Sequence, residues 1–257
     1  MKVLLVRLSS MGDLIHTLPA VEDLARTCPQ VELQWLCEAG FADIARLHPF
    51  VRKVHVLRWR QWRKQLTHAD TWHALKDLKE VLRREQFDFV LDSQGLFKSA
   101  LFARLSGAPV KGLDSASARE AGASWFYQQK FTVQKGLDAV LRNRLLFSQV
   151  FDYELPADLR FGVQVPADGV LQDLCSPYYV ALHATSRDSK LWRQQNWLGL
   201  MQKLHERDGA HIYLPWGNPE ELVRAQEMAA ELPFAHVCEK LTLSQAAYLL
   251  QGAVGVI

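Results

Sequence analysis

Residues 3–20, VLLVRLSSMGDLIHTLPA, decide the fold. Val3 to Leu8 is an apolar, β-branched run long enough for a buried parallel strand. The small-residue turn Ser9-Ser10-Met11-Gly12 follows, and Asp13 opens an amphipathic run with helical spacing. Loops that leave the carboxyl end of a strand for a helix are where open α/β sheets bind ligands. Asp13 is therefore a carboxylate at a helix start and at the mouth of an expected cleft. The same position suits a plain N-cap, a role Asp fills well, so both readings stand at this level.

Working outward, strand and helix patterns alternate. VELQWLC (31–37), KVHVL (53–57), FDFVLD (87–92) and VKGL (110–113) read as strands. Helical spacing runs over 41–47, 70–85, 95–105 and 135–151, and Pro19 should kink the first helix or mark its true start. The stretch 156–177 holds Pro156, Pro166 and Pro177 and reads as a linker. The pattern then restarts: strands at 178–183, 211–214 and 235–238, helices at 196–207, 219–231 and 243–251, and an apolar run, Val254 to Ile257. Such alternation predicts parallel α/β sheets in two Rossmann-like domains, 1–155 and 178–257, with a ligand between them.

The chain has 257 residues, 49% apolar and 23% charged, the profile of a soluble globular protein. Its formal net charge of +2 argues against nucleic acid as a partner and leaves only local basic function. Cys28, Cys37, Cys175 and Cys238 form no CxxC pair and suit a reduced, cytoplasmic protein with small buried thiols. Met1-Lys2 leads straight into the first strand, so no signal peptide is expected, and no apolar run has membrane-spanning length. The first turn lacks GxGxxG, and there is no P-loop, GxSxG elbow, HExxH or Asp-x-Asp pair.

Three stretches carry candidate chemistry. The loop after YYVALH reads Ala184-Thr185-Ser186-Arg187-Asp188-Ser189-Lys190, with hydroxyls and cations suited to phosphate oxygens, or simply to capping the next helix. In LPWGNPEE (214–221), Glu221 can accept hydrogen bonds from sugar hydroxyls or complement a helix N-terminus. RKVHVLRWRQWRK (52–64) has six cations, two Trp and no acid, suiting either an anionic ligand or a solvated face. Arg119, in SARE, is a lone cation of the same kind.

Together SSMGDLIHTLPA, RWRQWRK, LDSQGLFKSA, SARE, ALHATSRDSKLW and LPWGNPEE resemble the bacterial heptosyltransferases of glycosyltransferase family 9. The resemblance implies a GT-B fold and inverting, metal-independent transfer of heptose from ADP-L-glycero-β-D-manno-heptose to Kdo-lipid A. That would place a monomer at the cytoplasmic face of the inner membrane, with no cofactor. By the same resemblance Asp13 is the general base. Gly12, Thr185, Ser186, Lys190 and Glu221 bind the donor, while Arg60, Arg63, Lys64 and Arg119 bind the acceptor. The family continues into an Asp-Thr-Gly-x-x-His loop beyond the strand at which Ile257 stands, so the second domain is expected to be incomplete. The competing readings are an inactive GT-B binding protein and a UDP-sugar epimerase-like enzyme.

Overall fold

The computed structural model describes residues 1–167, 171, 173–185 and 188–257, which divide into two compact units, Met1–Gln164 and Val165–Ile257. Six strands make the first sheet: β1 (Lys2–Val6), β2 (Glu32–Glu38), β3 (Val51–Leu57), β4 (Phe89–Asp92), β5 (Val110–Leu113) and β6 (Gln129–Phe131). They are all parallel, in the order β3-β2-β1-β4-β5-β6. The chain winds outward from β1 to one edge, then from β4 to the other. The loops after β1 and β4 thus lie at the switch point where such sheets bind ligands. β1 is buried on both faces because helices cover both, which is why it reads as an unbroken apolar run.

The helices of this unit are α1 (Met11–Ile15), α2 (Leu18–Thr27), α3 (Ala42–Arg46), α4 (Trp59–Trp62), α5 (Ala69–Arg84), α6 (Phe97–Ala103) and α7 (Ala139–Phe151). Pro19 marks a true start: it occupies the first turn of α2, where its missing N–H has no helical partner to lose. Trp59 and Trp62 turn inward from α4 against a core of Leu4, Val6, Leu57, Val90 and Phe102. Much of the indole surface in the basic window therefore serves packing. Lys53, from the same window, pairs with Glu85, so the cations do not form one patch.

In the second unit, β7 (Tyr178–Val180), β8 (His211–Leu214), β9 (Ala235–Val237) and β10 (Gly255–Val256) pair in parallel in the order β10-β7-β8-β9. Helices α8 (Gln194–Asp208), α9 (Pro219–Glu231) and α10 (Leu243–Gln251) accompany them. Tyr179, Trp197, Met201, Ile212 and Met228 fill one face of that sheet; Tyr178, Val180, Tyr213 and Leu249 fill the other. Asn218 caps α9, its side chain accepting from the Glu221 amide at 3.0 Å, and Thr242 caps α10 in the same way. Among the described residues, no helix is long and apolar enough to cross a membrane.

Candidate active site

Asp13 lies in the first turn of α1, just past the end of β1. Ser10, not Asp13, is the N-cap residue; Asp13 reaches back so that its Oδ2 accepts the Ser10 amide at 2.9 Å. The same carboxylate meets two cations. Arg119 Nη2 donates to Oδ1 at 2.5 Å and Arg7 Nη2 at 3.2 Å. Burial pushes the Asp13 carboxyl up, but the hydrogen bonds from Arg119 and Ser10 and the two positive charges hold it below the usual carboxylate range. Capping and charge pairing are thus one arrangement, and the carboxylate stays ionised.

Arg119 reaches Asp13 across 106 positions of sequence because LDSQG folds in one way. Asp92, fully buried, accepts from the amides of Gln94 (2.9 Å) and Gly95 (3.3 Å), Ser99 Oγ (2.8 Å) and Tyr127 Oη (2.7 Å). Those bonds close the turn after β4 with Gly95 at φ +68°, where a Cβ would stand only 3.2 Å from the Arg119 amide nitrogen. The Gly95 carbonyl accepts the Glu120 amide at 2.9 Å, which fixes the segment bearing Arg119. Arg7 is nearly buried and donates to the Ser93 carbonyl. Gln94 in turn accepts the Leu8 amide at 2.8 Å, tying the two switch-point loops together.

A small pocket opens beside this cluster, lined by Arg7, Ser93, Gln94, Arg119, Arg142 and Asn143 among others. Arg7 Nε, Arg142 Nε and Ser93 Oγ are buried there with no hydrogen-bond partner among the described residues. Burial pulls Arg7 down to about 10, opposed by Asp13 and assisted by Arg119. Arg142 is also lowered, by burial and by Arg119. Three guanidiniums line the pocket and only two of them pair with Asp13, which leaves an excess of positive charge, the equipment for a bound carboxylate or phosphate. Arg7 and Arg142 are absent from the sequence-based set of site residues: the first hides in a strand pattern, the second in a helix.

Arg60, Arg63 and Lys64 stand exposed in and beyond α4, with the Arg60 guanidinium 4.9 Å from the Phe41 ring. Among the described residues, no hydrogen bond or ion pair joins them to Asp13. Glu38, buried at the end of β2, is a carboxylate the sequence did not flag. Burial raises it, opposed by the Arg60 amide and by the charges of Lys98, Arg60 and Arg63. Gly12, in the first turn of α1, has no atom within 4 Å of where a Cβ would stand.

The second unit has its own cavity, about 730 Å³, past the carboxyl ends of β7 and β8. Thr185 and Glu221 both line it, with Asn218 and Arg224. Glu221 also makes the capping contacts anticipated as its simpler role: Oε2 accepts the Gly217 amide at 2.7 Å and Oε1 accepts Asn218 Nδ2 at 2.8 Å. Lys190 is exposed, in a single 3-10 turn, Asp188–Lys190. Ser186 lies outside the described residues. Arg224, one helical turn beyond Glu221, was not anticipated; it donates to the Trp192 carbonyl at 2.5 Å and pins the far end of the Thr185–Trp192 loop.

Two Rossmann-like units with parallel sheets, each with a polar cavity past the carboxyl ends of its strands, give the GT-B architecture of solved heptosyltransferase structures. The chain belongs to glycosyltransferase family 9 (heptosyltransferase), whose family model matches residues 75–257. It is 42% identical to lipopolysaccharide heptosyltransferase 1 of Pseudomonas aeruginosa, over 98% of this chain and 71% of that protein. Against lipopolysaccharide heptosyltransferase 1 of Escherichia coli K12 the identity is 38%, over 100% of this chain and 81% of the relative. The solved structure of E. coli heptosyltransferase WaaC with ADP-2-deoxy-2-fluoro heptose superposes with a TM-score of 0.90 at 37% identity, covering 100% of this chain and 82% of that one. Family membership does not favour the inactive-protein and epimerase readings.

Proposed function

We propose that the protein transfers L-glycero-D-manno-heptose, with inversion, from ADP-heptose to Kdo-lipid A in lipopolysaccharide inner-core synthesis. The observation that carries this reading is Asp13 held by Arg7 and Arg119 beside an arginine-lined cavity, in a chain 38–42% identical to enzymes of that name. Asp13 accepts the proton of the acceptor hydroxyl as that oxygen attacks the anomeric carbon opposite the departing diphosphate. A carboxylate gripped by two arginines is a weak base. An acceptor carboxylate or phosphate entering the cavity competes for Arg119, removes a donor from Asp13 and raises its basicity. Base activation is then coupled to acceptor binding.

On the donor side, Gly12, Thr185, Ser186, Lys190 and Glu221 are assigned to ADP-heptose. Lys190 and the hydroxyl loop stabilise the charge that grows on departing ADP. Arg60, Arg63 and Lys64 are assigned to anionic groups of the acceptor. Two variants read side by side separate these roles. Arg60→Ala/Arg63→Ala/Lys64→Ala should raise the acceptor KM several-fold and leave ADP affinity unchanged; each exposed contact contributes at most about 1 kcal/mol. Lys190→Ala should weaken ADP binding and turnover together without lowering the melting temperature. Loss of ADP affinity in the triple variant, or thermal collapse of Lys190→Ala, overturns the corresponding assignment.

Location at the inner membrane surface has its own support. Trp59, Leu66, Trp72, Leu75, Leu101 and Phe102 line an open apolar groove of about 1010 Å³ between α4, α5 and α6, with Lys76 and Lys79 among its lining residues. Trp72 is 59% exposed, its indole fixed by donation to the Leu66 carbonyl at 2.9 Å. An apolar surface flanked by cations suits an anionic lipid interface. Trp72→Ser/Leu101→Ser should cut co-sedimentation with phosphatidylglycerol vesicles several-fold; undiminished co-sedimentation sinks this placement.

A further inference from the structure

We infer that Cys175, His211 and His236 form a binding site for a borderline divalent cation of the Zn²⁺ type, at the end of the second sheet opposite the donor loops. Strand register brings the donors together. Tyr213 pairs with His236 across β8 and β9, and His211 lies two residues before Tyr213, so all three share one face. The outcome is a contact between His211 Nδ1 and His236 Nε2 at 2.8 Å, with the rings stacked at 5.0 Å. Cys175 enters over the same face, its amide donating to Tyr213 Oη at 2.8 Å. One ligand atom from each of Cys175, His211 and His236 lies within 4.8 Å of the others.

Two imidazole nitrogens at 2.8 Å need a proton between them, because their lone pairs otherwise repel. A metal ion takes the place of that proton, and the nitrogens need only open to roughly 3.3 Å, the spacing of tetrahedral ligands at zinc–nitrogen bond length. One sulfur and two imidazole nitrogens, with no carboxylate, select Zn²⁺ and related ions over Mg²⁺ or Ca²⁺. Cys175 is exposed while both histidines are half-buried, so the site has an entrance and room for water as a fourth ligand. Cys175 precedes β7, His211 opens β8 and His236 is the middle residue of β9, whereas Thr185 and Glu221 follow β7 and β8. The ion therefore braces the base of the second unit and takes no part in transfer.

The test is an equilibrium titration of chelator-stripped protein with Zn²⁺ against a chromophoric competitor, repeated with Co²⁺ to read the thiolate-to-cobalt charge-transfer band. One equivalent should bind, with that band present and the melting temperature raised by saturating metal. Cys175→Ser should abolish the band and weaken Zn²⁺ at least tenfold, as should His236→Asn. Because Cys175 is exposed, its variant should keep the metal-free melting temperature, so folding does not confound the result. Absence of stoichiometric binding overturns the proposal, as does undiminished Zn²⁺ affinity in Cys175→Ser, which would mark scattered surface histidines as the ligands.

Discussion

Asp13→Asn is expected to lower heptose transfer by about 10²–10⁴-fold, the usual contribution of a positioned general base, while ADP titrates as in the wild type. The substitution is selective because of what Asp13 does locally. Its Oδ2 accepts the Ser10 amide, and an Asn carbonyl can accept the same bond, so the start of α1 survives. What Asn cannot supply is charge. Arg7, nearly buried, loses its carboxylate partner and retains the Ser93 carbonyl, so some stability is lost and activity has to be compared well below the variant's transition. The pH dependence has a defined sign. Since folding lowers the Asp13 pKa, its ion pairs contribute stability above the ordinary carboxylate range and lose it as pH falls through the folded value. The stability difference between wild type and Asp13→Asn should therefore close in acid. Near-normal turnover by the variant would leave Asp13 a capping residue and remove it from the mechanism.

The sequence made Asp13 legible because everything that places it is local: an apolar run, a small-residue turn and a helix start within eighteen residues. The same locality exposed the other strands long enough to show a pattern. It could not show β6, three residues of which two are exposed at the sheet edge, nor that WRQW is helical with Trp59 turned to the core. The arginine cavity was illegible for a stronger reason. Arg7, Arg119 and Arg142 share no spacing; they meet because β1 and β4 are neighbours, because Asp92 shapes the turn that Gly95 permits, and because α7 crosses back over α2. Each cation alone looks like a surface residue, and only the pairing of strands makes them a site. Cys175, His211 and His236 were missed for the same reason: strand register, not sequence distance, brings them together.

Arg144→Met should destabilise the first unit by about 3–5 kcal/mol, the range for breaking a buried ion pair from one side. For a unit of this size that is a fall of roughly 6–20 °C in its transition. Arg144 on α7 holds Asp23 on α2, with Nε at 2.6 Å and Nη2 at 3.2 Å, and the side chains are 8% and 1% exposed. Nη2 also donates to the carbonyls of Pro156 and Asp158, so the same group secures the segment that leaves α7. Met fills much of the volume but leaves a buried carboxylate without its cation. Asp23→Leu/Arg144→Met removes both charges together and should recover most of the loss, since apolar replacement of a buried pair is often neutral. The consequence reaches the active site through α7. Arg142 and Asn143 precede Arg144 directly, and Asn143 Nδ2 donates to the His16 carbonyl at 3.2 Å, joining α7 to the end of the helix that carries Asp13. Below its transition, Arg144→Met should therefore show a raised acceptor KM with ADP affinity unchanged, and the double variant should restore both stability and acceptor KM. A double variant no more stable than Arg144→Met would mean that the lost carbonyl contacts, not the unpaired charge, hold α7 in place.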